Sequence, residues 1–327
     1  MNVVRIADQL FNWFDLDSDI MLHNVYVKLY QLLSPNKILM NKIHTVLMDE
    51  AQDTNPVFSS ILDKLQCKKV IVGDKNQSIY GWRGSKDYLT TVSSDVCSNL
   101  TTSFRFPQEI ADKGNQVLAH LTDLRLIGKG DVKDDGSQLH ICRTNSGCLE
   151  VAFDYLNRGI PFILQGGVNN DEIDRIKDLV KLYSEKNLDK ITNRDLKGIK
   201  SYSQFLMEIE DEILGSDWKS TIKVIEDWLG GFEQALESLN KLEKYIKNPP
   251  EDGILITTGH KSKGLEAYTV FLHSDFLKFF MFKDEEGNFQ GPDLKYGAEQ
   301  EKNLFYISIT RSHKILNLGS CQQLLAP

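Results

Sequence analysis

Paired cysteines are missing from this chain of 327 residues. Cys67, Cys97, Cys142, Cys148 and Cys321 are scattered without C-x-x-C spacing, and no histidine pair completes a zinc pattern. The expectation is buried or free thiols in a reducing compartment. Long apolar runs are missing too. Nothing approaches the roughly 20 residues that span a bilayer, and the stretch from Phe276 to Phe282 is broken by Lys278. Arg5 and Asp8 interrupt the N-terminal stretch where a secretory signal would need an apolar core. An intracellular protein, cytoplasmic or nuclear and without membrane contact, is expected. An excess of positive charge is also lacking, since the formal net charge is −8. That excludes nucleic-acid binding by overall charge alone. It leaves room for a local basic groove, because phosphate contacts need only a few placed Lys and Arg.

What is present is a globular composition, 41% apolar and 26% charged, at a length that suggests roughly two domains of about 150 residues. Strand-like and helix-like segments alternate, which predicts an α/β fold with a mainly parallel sheet. Ile6 to Leu33 looks helical in pieces. Thr45 to Met48 predicts a buried strand, Val57 to Leu65 a helix, and Lys69 to Val72 a second buried strand ending at Gly73-Asp74. Pro107 to Leu121 predicts a helix with Pro107 in its first turn. Gln138 to Cys142, Cys148 to Asn157 and Ile160 to Leu164 predict one βαβ unit, closed by Gly159 and the Gly166-Gly167 break. Asp171 to Lys247 is nearly all helical and strongly charged, and the turn-rich stretch from Asn248 to Gly253 ends it. Strand patterns resume at Ile254 to Thr257 and Thr269 to Leu272. Leu304 to Ile309 then follows a helix-like acidic stretch and leads to Thr310-Arg311.

Both acidic clusters fall at predicted carboxyl ends of strands, where open α/β sheets place ligands. Asp49 and Glu50 suit metal-assisted phosphate chemistry: one carboxylate can hold Mg²⁺ and its neighbour can orient and deprotonate water. Taken alone, such a pair suits a solvated loop or a helix N-terminus equally well. After the second strand comes Gly73-Asp74-Lys75-Asn76-Gln77-Ser78-Ile79-Tyr80-Gly81-Trp82-Arg83-Gly84-Ser85. A neutral Gln at a strand end can sense a terminal phosphate. Tyr80 and Trp82 offer flat faces to unpaired bases, and Arg83 adds attraction to the backbone. Core packing is the other reading of these aromatics, and a Gly-rich loop flanked by Lys75, Arg83 and Lys86 suits it poorly.

Asp49-Glu50-Ala51-Gln52-Asp53 and the Gly-Asp-x-x-Gln-Ser-Ile-Tyr-x-Trp-Arg-Gly stretch resemble motifs II and III of the UvrD/Rep-like superfamily 1 DNA helicases. Leu100 to Arg105 resembles motif IV, Thr258 to Glu266 motif V, and Glu301 to Arg311 motif VI. The five occur in family order across residues 47 to 311. Ser103-Phe104-Arg105-Phe106 with Glu109-Ile110-Ala111 is most similar to the F-box DNA helicase branch, although no F-box is evident.

The resemblance implies two RecA-like motor domains with a small helical insert. The first would span 1–100 and be incomplete at its N-terminus. The second would span 101–183 and 253–327, with the insert at 184–252. ATP-driven movement on single-stranded DNA, 3′ to 5′, with unwinding at single-strand/duplex junctions, is implied. So are the cofactors ATP and Mg²⁺. Asp49 would hold the metal, Glu50 would be the catalytic base, and Gln77 would contact the γ-phosphate. Arg105 and Arg311 would supply positive charge to the transferring phosphoryl group; surface salt-bridging is the alternative for both. Phe104 would stack on adenine and Glu266 would hydrogen-bond the ribose, with Gly264, Gln52 and Asp53 completing the nucleotide set. Tyr80, Trp82, Arg83, His260 and Lys263 would face single-stranded DNA. Asp284-Glu285-Glu286-Gly287 matches no motif and predicts an exposed loop.

The G-x-x-x-x-G-K-[ST] phosphate loop of such motors is not in these 327 residues. Gly128-Lys129-Gly130 lacks the Ser or Thr and the upstream glycine. A split motor whose second polypeptide carries that loop, a truncated product, and a degenerate relative are the three expectations. Little ATPase activity from this chain alone follows from any of them. Two other function classes stand beside the helicase: a non-catalytic DNA-binding or regulatory subunit, and a Mg²⁺-dependent nuclease using Asp49, Glu50 and Asp74.

Overall fold

The computed structural model describes residues 23–33, 43–165, 170–211, 213–215, 217–284 and 286–325. The expected helical pieces before residue 23 and the Gly166-Gly167 break lie outside them. Two compact units divide the chain, Met1–Ser98 and Asn99–Pro327.

In the first unit, helix α1 (His23–Leu33) precedes strand β1 (Thr45–Met48), helix α2 (Pro56–Lys64) and strand β2 (Lys68–Ile71). Helix α2 starts where the sequence can start one: the Asn55 side chain accepts the Phe58 N–H at 2.9 Å, and Pro56 needs no partner for its nitrogen. β1 and β2 pair in parallel, Thr45 to Lys68 through Met48 to Ile71. The expectation that both strands are buried needs correcting. Their residues alternate between exposed and half-buried, and Leu47 is 77% exposed. Only one face packs inward, against Leu62, Leu65 and Tyr88, with Val46, Met48 and Ile71 around them. Among the described residues no further strand joins this pair.

The second unit is built on five parallel strands in the order β11-β8-β5-β7-β6: Ser312–Asn317, Ala267–Leu272, Gln138–Cys142, Ile254–Thr258 and Phe162–Leu164. This is an α/β, RecA-like sheet; two short pairs lie outside it, β3 (Thr102–Ser103) with β4 (Ile127–Gly128) and β9 (Phe282–Lys283) with β10 (Phe289–Gln290). The outermost strand, β11, is one the sequence pattern did not reveal. Helix α3 (Gln108–Leu118) begins after Pro107, which occupies the cap position just before its first turn. Helix α4 (Asn145–Arg158) is capped by Thr144, whose hydroxyl accepts the Gly147 N–H at 2.9 Å, and ended by Gly159 at φ 67°. A side chain there would be strained, so glycine suits the stop.

Four further helices, α5 (Asn170–Tyr183), α6 (Tyr202–Glu210), α7 (Asp217–Trp228) and α8 (Ala235–Lys247), share one core with α4 and the β6–β7 edge. Trp218, Phe205, Leu239 and Phe162 are fully buried in it. Helix α10 (Glu299–Ile309), which follows the one-turn helix α9 (Gly259–Ser262), fuses the acidic stretch and Leu304 to Ile309 into one element. Every residue from Asn303 to Ile309 is buried. Phe305 meets Phe276 and Phe280 at ring distances of 5.6 and 5.8 Å. A helix buried all round carries no amphipathic stripe, which is why periodicity reads it poorly.

Candidate functional site

In the first unit, the ladder between β1 and β2 is extended by Val72 N–H to Met48 C=O at 2.8 Å and Ala51 N–H to Val72 C=O at 3.1 Å. These bonds hold the two acidic ends side by side. Asp49 and Glu50 are exposed there, and Asp49 Oδ1 accepts the Glu50 N–H at 2.8 Å. Glu50 sits at φ 54°, ψ 41°, a left-handed conformation that costs a residue with a Cβ about 1–2 kcal/mol. Surrounding bonds must sustain it.

Gln52, expected at the nucleotide, is fully buried beneath these groups. Its amide nitrogen donates to Glu50 Oε2, and its Oε1 accepts the Asp74 N–H at 3.0 Å. Asp74 Oδ1 accepts the Asn76 N–H at 2.9 Å, and Oδ2 accepts the Gln77 side-chain amide at 3.0 Å. With both oxygens so used, Asp74 is turned to its own loop and away from a three-carboxylate metal site. No group of three metal-ligating side chains is present among the described residues. Asp53 is half-buried in the turn 51–53. An exposed carboxylate such as Asp49 at a strand end fits Mg²⁺, which keeps waters and takes its other ligands from phosphate.

The loop continues through Ile79, fully buried, to a 3₁₀ turn at Gly81–Arg83. Trp82 is 65% exposed there. The Arg83 guanidinium lies 4.6 Å from the Trp82 ring centre and 5.4 Å from that of Tyr80. Lys86 N–H to Thr54 C=O at 2.8 Å ties the loop back to the acidic turn. Below it, burial and the hydrogen bond to Asp63 push the Tyr88 phenol up to about 12.

In the second unit, Phe104 is 74% exposed and Arg105 follows the short strand β3 (Thr102–Ser103). Arg105 Nη2 meets Glu266 Oε1 at 2.5 Å, and His313 Nε2 meets Glu266 Oε2 at 2.9 Å. Partial burial pushes the Glu266 carboxyl up, but the His313 hydrogen bond and the charges of Arg105 and Arg311 outweigh it and hold the group low. His313 escaped the sequence reading because it lies on β11, which no pattern announced. Arg311 is 3% exposed; its Nε donates to Ile307 C=O at 3.0 Å and Nη1 to Leu265 C=O at 3.4 Å. Gly264 turns the chain at φ 87° between α9 and β8, and His260 and Lys263 are half-buried beside it. Glu301 holds Arg143 by two bonds of 2.6 Å each, across from α10 to the end of β5.

Residues 5–93 match the UvrD/REP helicase N-terminal domain. F-box DNA helicase 1 of Gallus gallus is 30% identical over 326 residues, covering 92% of this chain and 31% of that protein. F-box DNA helicase protein 1 of Schizosaccharomyces pombe is 26% identical, covering 91% and 36%. The ATP-dependent DNA helicase PcrA of Staphylococcus epidermidis is 21% identical, covering 84% and 55%. The chain thus spans about a third of the length of the F-box DNA helicases it matches. With acidic and Gln-bearing strand ends in one unit and a RecA-like parallel sheet in the other, the chain is UvrD/Rep-like, similar along most of its length to F-box DNA helicases.

Proposed function

We propose that this chain works as the motor of a DNA helicase that hydrolyses ATP to move 3′ to 5′ along single-stranded DNA and open duplexes at junctions. The observation that carries the reading is the loop of the first unit. Gln77, bonded to Asp74, lies five residues before Trp82 and its stacked Arg83 on one continuous segment. A group fit to sense phosphate and a surface fit to stack on bases therefore share one loop.

Glu50 takes a proton from the attacking water, which general bases do with ~10²–10⁴-fold effect. Asp49 holds Mg²⁺, whose charge offsets that of the phosphates. Gln77 hydrogen-bonds the terminal phosphate. Arg105 and Arg311 supply positive charge to the phosphoryl group, where negative charge spreads over the outer oxygens. Phe104 presents its exposed face to adenine, and Glu266 serves the ribose from the turn made by Gly264. Tyr80, Trp82 and Arg83, with His260 and Lys263, bind single-stranded DNA. Residues 1–100, and residues 101–183 with 253–327, are the two motor domains, and 184–252 is an insert. An intracellular location belongs to the same reading. The phosphate loop this chemistry needs is supplied by a further segment, on this polypeptide or on another.

Two measurements test this. In fluorescence anisotropy with an oligo-dT probe, the chain binds, and Trp82→Ala weakens binding about 5- to 150-fold, as the loss of one stacked base implies. In the presence of that DNA and a segment bearing G-x-x-x-x-G-K-[ST], joined to the chain or supplied apart, ATP hydrolysis appears and Glu50→Gln removes it. DNA binding without nucleotide binding under any of these conditions would favour a non-catalytic DNA-binding subunit. No DNA binding at all would overturn the reading.

A further inference from the structure

We propose that Gln52 is a positioning residue that couples the base Glu50 to the phosphate sensor Gln77 through Asp74. The proposal rests on the roles given above to Glu50 and Gln77. Four residues form one hydrogen-bonded chain across the ends of β1 and β2, in which Asp74 bonds Gln52 through its backbone N–H and Gln77 through its carboxylate. Gln52 donates to Glu50 Oε2 and accepts from the Asp74 N–H at 3.0 Å, and Asp74 Oδ2 accepts from Gln77 Nε2 at 3.0 Å. The Ser78 hydroxyl adds a bond to the Gln52 carbonyl at 3.4 Å.

Only an amide of this length serves both ends. Its NH₂ donates to a carboxylate while its oxygen accepts a backbone N–H. An ionised Glu has no donor, and Leu has neither group. Gln52 is fully buried, so water is poorly placed to take the place of its amide. The neighbouring strand end is shaped around it. A Cβ on Gly73 would lie 2.5 Å from Gln52 Oε1 and 2.9 Å from the Ala51 nitrogen. Glu50 holds a left-handed backbone next to this amide, so its carboxylate direction depends on a side-chain bond as well as on backbone preference. When Gln77 turns toward a phosphate it releases Asp74, and the change reaches Glu50 through Gln52. A base that is aimed only when the sensor has responded keeps hydrolysis tied to phosphate binding.

Two substitutions separate the two ends. Gln52→Leu removes both bonds. Gln52→Glu keeps an acceptor for Asp74 and removes the donor to Glu50. In the full chain without nucleotide, hydrogen exchange at the Asp74 amide should accelerate about tenfold in Gln52→Leu and stay near wild type in Gln52→Glu. Gly73→Ala, which displaces the amide without changing it, should follow Gln52→Leu. With DNA and a phosphate-loop segment present, both Gln52 variants should lower kcat about tenfold or more while KM for ATP and DNA affinity stay near wild type. Unchanged Asp74 exchange in Gln52→Leu, or unchanged kcat in both variants, overturns the coupling. Full hydrolysis by Glu50→Gln removes the role of Glu50 itself. An inactive Glu50→Gln beside fully active Gln52 variants removes the coupling alone.

Discussion

The two units hold their functional side chains by different means. In the first, the support is a pair of half-exposed strands and a small cluster around Leu62, Leu65 and Tyr88. Its geometry comes from polar bonds: Gln52 to Glu50 and Asp74, Asp74 to Gln77, Asn55 over α2. In the second, Arg311 and the turn at Gly264 ride on a five-stranded sheet and on α10, whose last seven residues are all buried. Dense packing resists distortion because neighbours have no space to yield. A hydrogen-bonded loop can rearrange by exchanging partners. The contrast gives the first unit a support that can rearrange and the second a rigid frame.

The strongest way to break this comparison is Phe305→Ala in α10. Removing a fully buried ring that packs on Phe276 and Phe280 should cost the second unit about 3–5 kcal/mol. In a urea titration followed by peptide-resolved hydrogen exchange, peptides of the second unit should lose protection first. Protection lost equally in both units would show that they unfold as one.

Acid offers the next test. Burial, reinforced by the nearby His273, lowers the His140 pKa to about 3 from 6.5, with its Nδ1 and the Tyr155 hydroxyl 2.8 Å apart. The fold keeps this ring neutral, whereas the unfolded chain protonates it near 6.5. Stability is therefore lost as pH falls below 6.5, by ~2 kcal/mol at pH 5, and the loss grows until pH reaches about 3. His140→Phe should flatten that part of the pH–stability curve for the second unit. An unchanged slope would assign it elsewhere.

The smallest effect sharpens the other side. Asn55→Ala removes the α2 cap and should cost about 1 kcal/mol, confined to exchange in peptides of the first unit. An equal change in the second unit would contradict the separation.

Much of this was legible in the residues. The parallel α/β pattern, the acidic strand ends and the Gly-rich aromatic loop all rest on local signals: short apolar runs, turn residues and fixed spacing. The strands β1 and β2 were found but their burial was not. An apolar run such as Thr45 to Met48 looks the same whether one face or two are covered. β11 was missed because Ser312 to Asn317 runs Ser-His-Lys before its only apolar pair, Ile315-Leu316, and so shows neither an apolar run nor an alternation. His313 went with it.

Gln52 shows where the boundary falls. Its place in the Asp49 to Asp53 box follows from the sequence, as does the chemical identity of Glu50 and Gln77, because covalent order and side-chain type are local properties. Its direction does not. Whether the amide faces nucleotide or interior depends on Gly73, just past the end of β2, which presents no Cβ, and on the Asp74 N–H 22 residues downstream of Gln52. Only pairing β1 with β2 brings those atoms together. Likewise the sequence names Arg105 and Glu266, but the sheet order that sets β11 beside β8 decides that His313 shares Glu266 with Arg105. Hydrogen bonds between distant segments have no sequence period, and tertiary pairing alone creates them.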